Sequence, residues 1–269
     1  MRLPSWLSAP ASGPGSGTEE VRDPAARRLI VLEIVVMLTV TLGLSALRSA
    51  LSLAGSLLSP VPLAEQQVAL NAPAAQAEVL DLALQLVRVL QLVGWGALGA
   101  YLLLRAGIPL AKVGLDARRR GRDVRDAVGL AALIGIPGLG LYLVARAIGV
   151  SLEVAPTTLD DVWWRTPVLL LSAFANSWAE EIVMIGYLLT RLRQLGWSAD
   201  RSVVAAAVLR GCYHLYQGLG GFVGNIVMGL VFGRVWQRTG RLWPLVGAHA
   251  LIDVVAFVGY ALLPAGLRL

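Results

Sequence analysis

Long apolar runs recur along the whole chain, separated by short arginine-bearing stretches, and this pattern constrains the fold more than any other feature. About 20 apolar residues of helix cross the roughly 30 Å hydrocarbon core of a bilayer. Backbone in lipid must satisfy its own hydrogen bonds, which only helices and closed barrels do, and runs of this length point to helices. The first run extends from Leu29 to about Leu58 and is stopped by Pro60 and Pro62. Further runs are read at about 79–104, 127–149, 166–190, 202–217, 222–236 and 243–263, each bounded by charge or by Gly and Pro. Composition agrees: 57% of residues are hydrophobic and 15% charged, whereas a soluble domain has roughly half and a quarter. The expected fold class is therefore all-α, a polytopic membrane helix bundle of about seven to eight transmembrane helices, with the eighth arising if the first run splits.

A net charge of +6 would suggest nucleic acid as a partner for a soluble chain. Here the arginines sit in short stretches between apolar runs, so they read as topology signals and no nucleic-acid partner is expected. Arg105, Lys112, Arg118, Arg119, Arg120, Arg122 and Arg125 crowd one loop, Arg191, Arg193 and Arg201 another, and Arg234, Arg238 and Arg241 a third. The stretch from Ser151 to Asp161 carries Glu153, Asp160 and Asp161 instead. Every second loop is basic, which places those loops and the N-terminus in the cytoplasm of a multi-pass cell (plasma) membrane protein. Residues 1–28 are rich in Ser, Gly and Pro and read as a disordered cytoplasmic tail. Residues 29–269 form the membrane domain. Cys212, the single cysteine, excludes an intramolecular disulfide and reads as a packing residue.

An ionisable side chain at bilayer depth costs at least a few kcal/mol, so each one needs a partner or a function. Glu180, Glu181, His214, His249 and Asp253 stand out, the more so because the chain has only two histidines. At 1.5 Å per residue Glu180 lies about 16 Å from Arg191, His214 about 19 Å from Arg201, and His249 and Asp253 about 12 and 18 Å from Arg241. Four groups thus converge on one layer, expected inside membrane helices. His249 and Asp253 are one turn apart on one face. Glu180 and Glu181 are about 100° apart around a helix, so one serves the site and the other supports it. Carboxylate and imidazole in a wet pocket are the ingredients of hydrolysis, metal-bound or by direct acid and base. Glu33 is expected to reach the headgroups, Asp81 and Arg88 to pair, and Arg146 and Arg234 to snorkel.

The runs Glu180-Glu181-Ile182-Val183-Met184-Ile185, Arg210-Gly211-Cys212-Tyr213-His214 and His249-Ala250-Leu251-Ile252-Asp253 resemble the CPBP family, the CAAX-protease and bacteriocin-processing (Abi-like) intramembrane endopeptidases. The likeness covers about 167–263, in family order. It implies that Glu180 with His214 activates a water for attack on a peptide carbonyl of a membrane-associated peptide or protein. It also implies that His249 and Asp253 stabilise the oxyanion or help hold a metal. Zinc suits His214, His249 and Asp253 with one open position, and a metal-free glutamate mechanism is the other form. An ionised Asp253 can only accept hydrogen bonds, which favours a ligand role or the fixing of the His249 tautomer.

The chain departs from the family at two places: Ile185 stands where an Arg is usual, and Arg210 where a Phe is usual. Arg210 lies one turn before His214, and we expect it to supply, from the neighbouring helix, a guanidinium to Glu181, within about 6 Å and bidentately. Beside the protease reading stand a non-catalytic scaffold or immunity-type protein of the same fold and a transporter, for which the chain shows no repeat.

Overall fold

The computed structural model describes residues 19–262. Its eight helices among those residues are α1 (Pro24–Val40), α2 (Leu42–Leu58), α3 (Glu78–Arg105), α4 (Arg120–Ala147), α5 (Arg165–Gln194), α6 (Ala199–Cys212), α7 (Leu219–Thr239) and α8 (Trp243–Leu262). Two three-residue strands, β1 (Gln67–Ala69) and β2 (Glu153–Ala155), pair in parallel between loops.

Helix α1 begins five residues before the expected boundary. Asp23 caps it by accepting from Ala26 N at 2.8 Å, and Pro24 fills the first position, where a missing N–H costs nothing. The expected tail therefore ends before Pro24, and its residues 1–18 lie outside the described residues. The first apolar run does split. Thr41 leaves helical geometry, its hydroxyl donates back to Met37 O at 2.6 Å, and α1 and α2 meet at 50°.

Helices α3, α4, α5, α7 and α8 are each long and apolar enough to cross a bilayer, and α1 with α2 makes a sixth span if the bent pair is one crossing. The run expected over 202–217 is different. Helix α6 has 14 residues and covers about 21 Å, short of the hydrocarbon core. A 3-10 turn at Leu215–Gln217 and Gly218, at φ +93°, end it, and residues 150–152 of the α4–α5 loop reach in to meet that turn. An apolar sequence cannot reveal this stop, because Leu215 and Tyr216 continue the hydropathy.

The basic loops gather at one end. Arg27 donates to Leu195 O at 2.9 Å, Val21 N donates to Gln194 O, Arg234 pairs with Asp200 at 2.6 Å, and Arg241 pairs with both Asp116 and Asp123. Gly240, at φ +63°, closes α7 in the left-handed conformation that Gly adopts without cost and turns the chain into Arg241. At the opposite end Arg146 contacts Ala64 O and Glu153, so neither it nor Arg234 is left to snorkel.

Helix α5 is the axle of the bundle. Two-thirds of its most apolar window is buried, against 6% for α4, so α5 can hold polar groups in place while α4 lies on the lipid-facing rim. It packs against α3 and α8, α6 pairs with α7, and α4 lies on α8. Glu33 of α1 turns inward, against the expectation that it reaches headgroups: Arg191 Nε and Nη2 engage both its oxygens, and Tyr187 donates to it at 2.9 Å. Asp81 and Arg88 do not pair either. Asp81 Oδ1 accepts instead from Ala74 N and Gln85 Nε2, tying the incoming loop to α3.

Candidate functional site

The site starts with a change of helix type. From Glu181 to Leu189 helix α5 widens into a π-helix, a form enriched at functional sites, and the two glutamates sit at its threshold. The 100° between them then separates their surroundings. Glu180 lines a cavity of about 1530 Å³ together with His214, His249, Asp253, Tyr213 and Asn176. Glu181 is 0% exposed and points away from it, into the seam between α5, α6 and α8.

That seam is closed by Arg210, also fully buried at 1% exposure. Its Nη2 lies 2.7 Å from Glu181 Oε1, 3.3 Å from Glu180 Oε2 and 3.1 Å from His249 Nδ1. The contact with Glu181 is made by this one nitrogen and one oxygen, so it is monodentate. Arg210 Nε and Nη1 and Glu181 Oε2 find no partner among the described residues, and the guanidinium carbon lies 5.7 Å from the Phe232 ring centre. His249 Nδ1 is 2.8 Å from the same Glu181 Oε1. A guanidinium can only donate, so the consistent assignment has Arg210 N–H and His249 Nδ1–H both donating to Oε1. In a neutral imidazole this leaves Nε2 as the unprotonated nitrogen, 3.7 Å from Asp253 Oδ2.

His214 owes its setting to the early end of α6, beyond which it lies, where a place inside a membrane helix was expected. Its backbone N–H turns to Gly211 O at 2.9 Å and leaves the Arg210 carbonyl without its helical partner. His214 Nδ1 fills that vacancy at 3.0 Å and must be the donor, which puts the basic lone pair on Nε2. Tyr213, next in the turn, donates to Glu180 Oε2 at 2.7 Å, and its ring centre is 4.7 Å from the imidazole of His214. The phenol therefore ties the carboxylate on α5 to the turn that carries His214. Glu180 Oε1 is the oxygen that no donor engages among the described residues.

Of the residues singled out in the sequence, Glu180, His214, His249 and Asp253 thus share one cavity, while Glu181 and Arg210 sit behind it. The zinc expectation requires a ligand set, and no three His, Cys, Asp or Glu side chains converge as one among the described residues. Behind the cavity wall, Arg210 Nη2 lies 3.3 Å from Glu180 Oε2 and 3.1 Å from His249 Nδ1 and adds a positive charge beside two of these donors. As placed here, these donors do not form a zinc ligand set.

Two site residues escaped the sequence reading. Tyr213 lay within the quoted run without a role. Asn176 donates through Nδ2 to Asp253 Oδ2 at 3.0 Å. Its signal was the spacing Ser172, Asn176, Glu180, a polar stripe at i, i+4, i+8 along one helix face, and all three residues line the cavity.

The apolar helices fit a multi-pass membrane protein, with carboxylates and imidazoles gathered around one cavity. Residues 162–255 match the family model described as Type II CAAX prenyl endopeptidase Rce1-like, in agreement with the CPBP resemblance. The matched stretch holds every site residue named above, and the family is one of intramembrane endopeptidases. No curated protein and no solved structure matches the chain.

Proposed function

We propose that this protein is an intramembrane endopeptidase that hydrolyses a peptide bond of a membrane-associated peptide or protein, using Glu180 and His214 to activate water. The observation that carries this reading is the convergence of Glu180, His214, His249 and Asp253, from α5, the turn after α6, and α8, on one cavity within a bundle whose helices are long and apolar enough to cross a bilayer.

Glu180 Oε1 takes a proton from water while the Nε2 lone pair of His214 orients the other O–H, and the water oxygen adds to the scissile carbonyl. The electron pair of the C=O bond moves to oxygen and returns as the C–N bond breaks. The leaving amine takes the proton that Glu180 held, so the carboxylate is restored and atoms balance. Tyr213 holds Glu180 Oε2, and Arg210 with Glu181 fixes His249, so the reacting groups are preorganised by their neighbours.

The matched family is described as a CAAX prenyl endopeptidase, so a prenylated CAAX peptide belongs in the probe panel beside other membrane-anchored peptides. The test is cleavage of that panel by purified protein reconstituted in liposomes. Glu180→Gln and His214→Ala are expected to lose activity by about a thousandfold or more while keeping the wild-type unfolding transition. Undiminished cleavage by both variants would sink the mechanism. No cleavage by the wild type, with the fold intact, would favour the scaffold reading.

A further inference from the structure

Hydrolysis of an amide passes through an oxyanion, and its stabilisation requires hydrogen-bond donors aimed at that oxygen from about 2.7–3.1 Å. The residues expected to meet that need here are poorly suited to it. Asp253 as a carboxylate is only an acceptor. His249 spends its Nδ1 proton on Glu181 Oε1 at 2.8 Å, and Tyr213 spends its hydroxyl proton on Glu180 at 2.7 Å. With His249 neutral, the layer is rich in acceptors and none of these three side chains has a proton left for the oxyanion.

We propose that Asn176 is the oxyanion donor of this site and that Asp253 is the positioning residue that orients it. The proposal rests on the endopeptidase reading above. Asn176 lies one turn before Glu180 on the same face of α5, and both line the cavity. Its Nδ2 carries two protons. One is directed to Asp253 Oδ2 at 3.0 Å, and the other has no acceptor among the described residues. An amide can be turned either way, but here the carboxylate decides: flipping it would set Oδ1 against Oδ2, acceptor against acceptor. Asp253 thus holds the Asn176 amide with its nitrogen toward α8 and its second N–H free for the cavity. When the carbonyl is attacked, the pair pushed onto oxygen meets that N–H. When the intermediate collapses, the pair returns to carbon and the amide is unchanged.

This arrangement also gives a carboxylate a use at a place where it cannot itself donate. A carboxamide–carboxylate pair across α5 and α8 has the same chemistry read in either direction, so exchanging the two side chains moves the donor to α8 and keeps the pair.

The experiment measures kcat and KM in liposomes for the probe peptide that the wild type cuts fastest. The variants are Asn176→Ala, Asn176→Asp, Asp253→Asn, the double exchange Asn176→Asp/Asp253→Asn, and Glu180→Gln. Asn176→Ala is expected to lower kcat about 100- to 1000-fold with KM within about threefold, the split expected when a contact forms only in the transition state. Asn176→Asp, which sets two carboxylates face to face, is expected to be at least as damaged, and the double exchange to recover to within about tenfold of wild type. The double exchange also decides the matter if Asn176→Ala does not fold, since it keeps both side-chain volumes. An Asn176→Ala protein with kcat within about threefold of wild type, beside an inactive Glu180→Gln, overturns the proposal and leaves the endopeptidase reading standing. A double exchange as inactive as Asn176→Asp also overturns it. An active Glu180→Gln, or a wild type that cuts nothing, overturns both.

Discussion

Arg210 on α6 and Glu181 on α5 form an ion pair of 2.7 Å between side chains that are 1% and 0% exposed. Removing either partner leaves the other charged in a dry seam, which typically costs about 3–5 kcal/mol. Arg210→Leu and Glu181→Gln should therefore each lower stability in a denaturation series in detergent. The double variant removes both charges together and should lose less than the sum of the two. Additive losses would show that the two groups do not act as a pair. Cleavage should fall in both single variants as well, since His249 Nδ1 shares the oxygen that Arg210 holds.

A second prediction concerns metal. On the proposed mechanism the water is activated by Glu180 and His214 themselves. Incubation with a strong zinc chelator should leave the cleavage rate of the liposome-reconstituted protein unchanged. Elemental analysis of protein purified without chelator should find zinc well below one ion per chain. Near-stoichiometric zinc that is lost in Asp253→Ala would assign Asp253 to a ligand set instead.

The third prediction is a pH dependence at the basic end of the bundle. Hydrogen bonds from Arg118 N and from Arg241 hold the Asp116 carboxyl below its ordinary value of 3.8. A group whose folded value is depressed contributes stability that is present above its unfolded value and is lost as pH falls through the folded one. Wild-type protein should therefore be more heat-stable than Asp116→Asn at pH 7, and the difference should shrink below about pH 4 and disappear in stronger acid. The carboxylate is partly exposed, so the effect is small and should weaken with salt. A gap between the two melting curves that persists unchanged into strong acid would contradict it.

Much of this was legible in the sequence. Helix-length apolar runs mark segments able to cross a bilayer whatever their neighbours, so α3, α5 and α8 fall close to their expected bounds. The pairs Glu180–Glu181 and His249–Asp253 could be placed by helical geometry alone, because each lies within one helix. The Arg210–Glu181 contact across α6 and α5 is present at 2.7 Å, though through one nitrogen only; several other contacts decided between elements were misread. Hydropathy could not stop α6 at Cys212, because the turn that follows is apolar in sequence and is held by residues 150–152 of another loop. Charge spacing paired Asp81 with Arg88 on one face, whereas a loop amide and Gln85 supply the actual partners. Glu33 near a span end suggested headgroups, but Arg191, more than 150 positions away, is nearer. Asn176 was passed over because a single asparagine in a membrane helix is unremarked until its partner on another helix is known.

The contact between the α4–α5 loop and the turn after α6 has a consequence for how this protein can be engineered. Leu152 N donates to Gln217 O, Leu219 N to Val150 O, and Gly220 N to the Ser151 hydroxyl, while Ser151 itself is fully buried. A Cβ on Gly218 would strike Ser151 Cα. His214 hangs from this turn, so a tag, reporter or cysteine placed at 150–152 to map membrane topology would be felt at the imidazole some sixty positions later. The same loop offers Asp160, which is exposed and lies beyond β2, and an insertion there leaves the turn its partners.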